Sequence, residues 1–179
     1  MASIKRTGLP CAIFFADVCG SAELYDVLGN AQTQAAIARL LAILCQAATR
    51  HAGDIVKTIG AEVMAVFPSA RHAAEAAVDM HLSVTQALSI EHTQVRSLAV
   101  RVGFHFGPVI SEAADVFGDA VNVAARVLAH AKPGQILLTK EAATELPNNL
   151  EAGVRFVGRA RVKGKAAPID LGEEVNHAC

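Results

Sequence analysis

Two short β-type runs, 55–58 and Glu62–Phe67, flank Ile59-Gly60, and the spacing predicts a tight hairpin between them. A hairpin pairs its strands antiparallel, so the sheet that holds it cannot be the all-parallel kind that alternating strands and helices build. Helical stretches lie on either side. Before the hairpin, Ile37, Leu40, Leu41, Leu44, Cys45 and Ala48 recur at helical spacing up to a stop at Gly53; after it, an alanine-rich stretch from Ala70 to about Leu88 reads as a second helix.

The rest of the chain repeats the mixture. An apolar run, Ala12 to Asp17, reads as a buried strand that delivers a carboxylate to a turn at Gly20-Ser21. Leu98 to Phe106 and Val109 to Ser111 are expected to pair around Gly107-Pro108. A helix from about Gly118 to Ala131 should end at Pro133-Gly134. Strand 135–139, a short helix 140–146 and a last hairpin, 154–162 with 169–175, complete the order. The expected class is α+β: a ferredoxin-like, mixed or antiparallel sheet with helices packed on it, extended by the C-terminal hairpin. One domain is expected over 11–175, with an N-terminal segment 1–10 and a tail 176–179; 179 residues suffice for one sizeable core.

Composition narrows the partners. A formal net charge of −1 argues against nucleic acid or an anionic membrane bound by bulk electrostatics, and 4% aromatics offer no base-stacking platform. No apolar run reaches the ~18 residues of a membrane span, and no signal-peptide layout opens the chain. Cys11, Cys19, Cys45 and Cys179 show no CxxC spacing; three lie in apolar or helical surroundings, which suits reduced thiols and a cytoplasmic location. His81, His105 and Cys19 form no metal-ligand pair by spacing and read as structural residues.

Asp115-Val-Phe-Gly-Asp-Ala-Val-Asn-Val-Ala-Ala-Arg126 carries the most chemistry. On a helix from Gly118, Asn122 and Arg126 share one face, with Val121, Ala124, Ala125 and Leu128 on the opposite one. A guanidinium fork suits phosphate and an amide can orient a sugar oxygen, although a plain solvated face fits the segment equally well.

This segment resembles the substrate segment of class III adenylate/guanylate cyclases, Asp-x-x-Gly-(Asn/Asp)-x-Val-Asn-x-Ala-x-Arg. The family's other landmarks follow in order. Phe15-Ala-Asp-Val-Cys-Gly-Ser21 resembles the metal strand and phosphate turn; Lys57-Thr-Ile-Gly60 with Glu62-Val-Met-Ala-Val-Phe67 resembles the central hairpin. Arg101-Val-Gly-Phe-His-Phe-Gly107 is similar to the strand before the substrate segment, and Val162-Lys-Gly-Lys165 to the closing turn. The resemblance runs from about Cys11 to Val175.

The resemblance implies ATP cyclisation to cyclic AMP at a two-fold dimer interface. Asp17 and the Val18 carbonyl would bind Mg²⁺ or Mn²⁺, and the turn through Gly20 and Ser21 would cradle the triphosphate, where a bare reading of Asp17 is a helix N-cap. Lys57 and Asp115 would select adenine; on its own, Lys57 is an ordinary edge-strand lysine. Asn122 and Arg126 would orient the ribose and stabilise charge on the α-phosphate. Arg101 and Lys165 match positions that contact the β- and γ-phosphates, and each could equally be a surface residue. Asp17 would come from one protomer and Lys57, Asp115, Asn122 and Arg126 from the other, so a homodimer, or a heterodimer with another cyclase domain, is implied. The short segment between Gly107 and Asp115 resembles that of members with a truncated dimerisation arm, which implies weak dimers.

One position departs from the pattern. Active homodimeric members read Lys-x-x-Gly-Asp in the hairpin, the Asp being the second metal carboxylate, and here Ala61 stands in its place. Glu62 follows, but successive strand residues face opposite sides, so it does not simply replace the missing Asp. Three readings stay open: a position that was Asp and was changed deliberately to trap substrate, a natural partner subunit, or a nucleotide-binding or purely structural pseudo-enzyme. Retention of Asp17 with the base and ribose set argues against complete decay.

Overall fold

The computed structural model describes residues 9–89, 98–112, 115–148, 153–161 and 168–174, with main chain alone at 111–112 and 115–117. The elements run β1 (Pro10–Cys19), α1 (Ser21–Arg50), β2 (Asp54–Ile59), β3 (Glu62–Phe67), α2 (Ala70–Ser89) and β4 (Ala99–Pro108). There follow β5 (Ile110–Glu112), β6 (Asp115–Phe117), α3 (Asp119–His130), β7 (Ile136–Thr139), α4 (Lys140–Thr144), β8 (Val154–Ala160) and β9 (Ile169–Glu174). Seven strands form one mixed sheet in the order β2-β3-β1-β4-β7-β9-β8, in which only β4 and β7 are parallel. The α+β class is therefore observed, with the predicted C-terminal hairpin at one edge.

Two expectations are corrected. The strand around Gly107-Pro108 does not turn there: β4 continues because β1 runs beside it as far as Pro10, opposite Pro108, and β5 pairs with β6 in a separate ribbon. The first helix begins at Ser21, well before its apolar periodicity sets in, and kinks at Gly29, whose φ of 75° and ψ of 172° interrupt the helix.

Alternation along the central strands sorts side chains to two layers. Phe14, Val63, Phe67, Val102 and Phe104 face α1 and α2, where Phe14 meets Phe67 edge-on at 5.1 Å and stacks with Phe104 at 6.0 Å. The alanines of α2 let the helix lie close to the sheet. The other face carries Cys11, Ile13, Phe15, Met64 and Val66 against Ala120, Ala124 and Leu128 of α3. Gly103 makes that approach possible: a Cβ there would lie 2.3 Å from the Leu128 backbone nitrogen. On α3 the buried residues include Val123 and Val127, while Ala125, expected inside, is exposed. The buried stripe is turned around α3 by most of the ~100° that separates one residue from the next, because α3 also packs toward Leu137, Ala160 and Leu171 at the C-terminal half of the sheet.

Candidate active site

Asp17 sits near the end of β1, opposite Arg101 of β4 on one side and Glu62 of β3 on the other. Residues directly opposite in antiparallel strands project to the same side. Asp17, Glu62 and Arg101 therefore share the α3 face, whereas Ala61, one residue along, packs against the α1/α2 core. The alternation expected from the sequence holds. Its consequence is the reverse of the expected one: Glu62 is the residue placed beside Asp17.

Arg101 is committed to Asp17. Its Nε and Nη2 both donate to Asp17 Oδ2, at 2.9 and 2.7 Å, and Nη1 donates to the Ala131 carbonyl at the end of α3 at 3.5 Å. The Asp17 side chain is 19% exposed and that of Arg101 31%, so the pair is only partly screened by water. Burial opposes the guanidinium charge, but the hydrogen bond and charge of Asp17, with Cys19 and Glu62, outweigh it and raise Arg101 above its ordinary value. Burial, then the Asp17 charge, push Glu62 above the usual carboxylate range against the pull of Arg101. The Cys19 thiol is raised by the same two influences and donates weakly to the Asp17 carbonyl at 3.8 Å. Among the described residues Cys11, Cys19 and Cys45 form no disulfide; Cys179 lies outside them.

The turn after β1 is built for a short passage into α1. Gly20 takes φ 87°, which favours glycine, and Ser21 opens the helix with no side-chain cap on its first turn. Asp17 is not the cap. Uncapped N–H groups at a helix start suit an anion. Val18 anchors the neighbouring hairpin, its N–H donating to the Ala61 carbonyl at 3.1 Å.

Lys57 lies in β2 opposite Met64, half-buried, on the face that carries Asp17. The main chain of Asp115 belongs to β6, which touches β2, so the two proposed base-reading positions belong to neighbouring elements. Asn122 and Arg126 are both exposed on α3, and no hydrogen bond or ion pair joins either to Asp17. Lys165 lies outside the described residues. His105 is held by Thr139 at 2.8 Å, beside the cap of α4. His81 is half-buried on α2, and the loss of water around its ring lowers it to about 4. Among the described residues no group of three or more His, Cys, Asp or Glu side chains is placed to hold a metal ion, and no helix is long and apolar enough to cross a membrane. Sequence reasoning passed over Glu62 as a neighbour of Asp17, because that pairing depends on the register of β1 against β3, which no local signal in the chain sets.

Residues 5–175 match the family model of the Adenylate and Guanylate cyclase catalytic domain. The chain belongs to this family. An uncharacterized protein of Mycobacterium tuberculosis is 35% identical over 140 residues, covering 77% of this chain and 35% of its own length. A pH-sensitive adenylate cyclase of the same species is 31% identical over 162 residues, covering 89% of this chain and 39% of the relative. The domain thus spans little more than a third of these relatives. Among solved structures, an adenylate/guanylate cyclase/hydrolase from Silicibacter pomeroyi superposes with a TM-score of 0.79 at 28% identity, covering 93% of this chain and 96% of that one. The chain is a class III nucleotide cyclase domain with the fold of cyclase catalytic domains.

Proposed function

We propose that this domain works as a dimer on ATP, forming cyclic AMP and pyrophosphate, with turnover slowed because residue 61 brings no carboxylate. The observation that carries the reading is the separation of two residue sets within one chain. Asp17 and the phosphate turn sit at the end of β1, while Asn122 and Arg126 point outward from α3 with no bond to them. A second copy can bring the two sets together.

In that arrangement the ribose 3′-oxygen attacks the α-phosphorus, the bond to the bridging oxygen breaks, pyrophosphate leaves and the 3′-hydroxyl proton passes to solvent. Arg126 neutralises charge on the α-phosphate and Asn122 holds the ribose, a role of placed charge that needs no covalent intermediate. The turn at Gly20 and Ser21 receives phosphate oxygens. Arg101 and Lys165 take the β- and γ-phosphates, which for Arg101 requires leaving Asp17. The donor chemistry of Asp17 and the Val18 carbonyl fits a hard cation with phosphates completing its shell. Such an ion, Mg²⁺ or Mn²⁺, supplies charge neutralisation and acidifies the attacking hydroxyl.

Lys57 offers only donors and an ionised Asp115 only acceptors, which matches adenine N1 and its 6-amino group and opposes guanine. A buried mismatch costs about 1–3 kcal/mol per unpaired group, so ATP should bind at least about tenfold tighter than GTP. Calorimetric titration of ATP and GTP analogues into the domain and its Lys57→Glu variant tests this; equal affinities in the unmodified chain would refute the base assignment. Cyclic AMP formation with Mn²⁺, compared between the unmodified chain and Ala61→Asp, tests the part played by residue 61: a rise assigns the missing ligand to that position, and no change leaves the role to another carboxylate. The Arg101–Asp17 pair also favours a second reading, a regulatory partner domain at rest, which mixing with a competent cyclase domain distinguishes.

A further inference from the structure

We propose that Glu62 is the second carboxylate of this domain's divalent-cation site, acting beside Asp17 where residue 61 supplies no ligand. The inference rests on the reading of the domain as a nucleotide cyclase and deepens it.

Register is the first support. Glu62 and Asp17 are Cα partners on adjacent antiparallel strands, so their side chains leave the sheet on one side with Cβ atoms about 5 Å apart. Two carboxylates that start this close can converge on one ion at the roughly 2.1 Å that Mg²⁺ requires. Ala61 meanwhile turns its methyl group toward the α1/α2 core.

A second support is that the fold has no use for Glu62. Like charges directly opposite each other destabilise a sheet. Both groups are partly buried, and the Glu62 carboxylate makes no hydrogen bond or ion pair among the described residues. Had the position served only to pack, an apolar residue would satisfy it better.

Third, a cation already occupies the place. The Arg101 guanidinium is the stand-in: its Nε and Nη2 donate to Oδ2 of Asp17, and it is attracted by Glu62 as well. One guanidinium leaves two carboxylates with a charge to spare, whereas a divalent ion balances them. Exchange of Arg101 for the ion would release the guanidinium toward the nucleotide's terminal phosphates.

The test measures Mn²⁺ binding by electron paramagnetic resonance, with α,β-methylene-ATP present, on the full chain and on Glu62→Gln, Glu62→Asp and Asp17→Asn, each checked for folding by circular dichroism. Glu62→Gln and Asp17→Asn should each weaken Mn²⁺ at least about tenfold, and Glu62→Asp, which keeps a carboxylate, should lose much less. Unchanged Mn²⁺ affinity in Glu62→Gln, with loss in Asp17→Asn, overturns the role of Glu62 and leaves the cyclase reading standing. Equal loss in Glu62→Gln and Glu62→Asp also overturns it, because it marks a packing effect. If the unmodified chain binds neither the analogue nor Mn²⁺, the cyclase reading fails and the proposal with it.

Discussion

Two charge clusters of similar composition lie on this molecule, and they are arranged in opposite ways. Where α1 ends beside α2, Arg50 grips Asp79 with Nε and Nη2, each at 3.0 Å, while Ser83 donates to the same carboxylate at 3.0 Å. His51 adds a contact to Asp79 at 3.0 Å, and Arg71 pairs with Glu75 at 2.7 Å. Each carboxylate there has a partner. Burial pushes Asp79 up, but the hydrogen bonds from Ser83, Arg50 and His51 win and hold it below the usual range. At the end of β1, one guanidinium serves a single oxygen of Asp17, and Glu62 is left raised and without a hydrogen bond among the described residues. The first cluster fastens two helices. The second keeps an imbalance that folding alone does not require, as a site awaiting a charged ligand would.

The largest effect should come from the frame beneath the second cluster. Gly103→Ala places a Cβ inside the backbone of α3 and should cost at least about 3 kcal/mol in urea unfolding, since neither strand nor helix can yield locally. A cost near zero would mean that α3 is not seated on β4 as described.

Asp79→Asn should follow, at roughly 1–2 kcal/mol near neutral pH for a partly exposed group with several charged hydrogen bonds. The sign with pH is fixed by the lowered value. Because Asp79 is more acidic folded than unfolded, its contribution is complete above the unfolded carboxylate pKa of about 3.9 and is lost as pH falls through the folded one. Thermal melts from pH 7 to 3 should therefore bring Asp79→Asn and the parent together at the acid end.

Arg101→Met should destabilise by about 1 kcal/mol, through loss of a half-screened pair and exposure of Asp17 to Glu62. Added Mn²⁺ should recover part of that loss in melting temperature. The smallest effect is the most discriminating. Glu62→Gln should stabilise by a few tenths of a kcal/mol as the like-charge contact disappears, whereas Glu75→Gln should destabilise by about 0.5 kcal/mol as its partners lose a carboxylate. The same sign for both variants would erase the distinction between the clusters.

Much of the architecture was legible in residue pattern. The hairpin around Gly60, the helix of α2 and the order of strands follow from period and punctuation, which act within a few residues. The start of α1 was not legible, because Ser21 to Gly29 mixes polar residues with a glycine and shows little apolar period; its helicity comes from docking Leu24 into the core. Nor was the β5–β6 ribbon, since Gly107-Pro108 looks like a turn until β1 is seen running beside it.

By itself the sequence determined the order of the main strands and helices, the family motifs and the absence of a carboxylate at residue 61, since all three are properties of local order along the chain. Only the tertiary structure decided that Glu62 stands opposite Asp17 and that Arg101 is spent on that carboxylate. Those facts depend on the register of strands far apart in sequence, and register is set by the packing of whole faces.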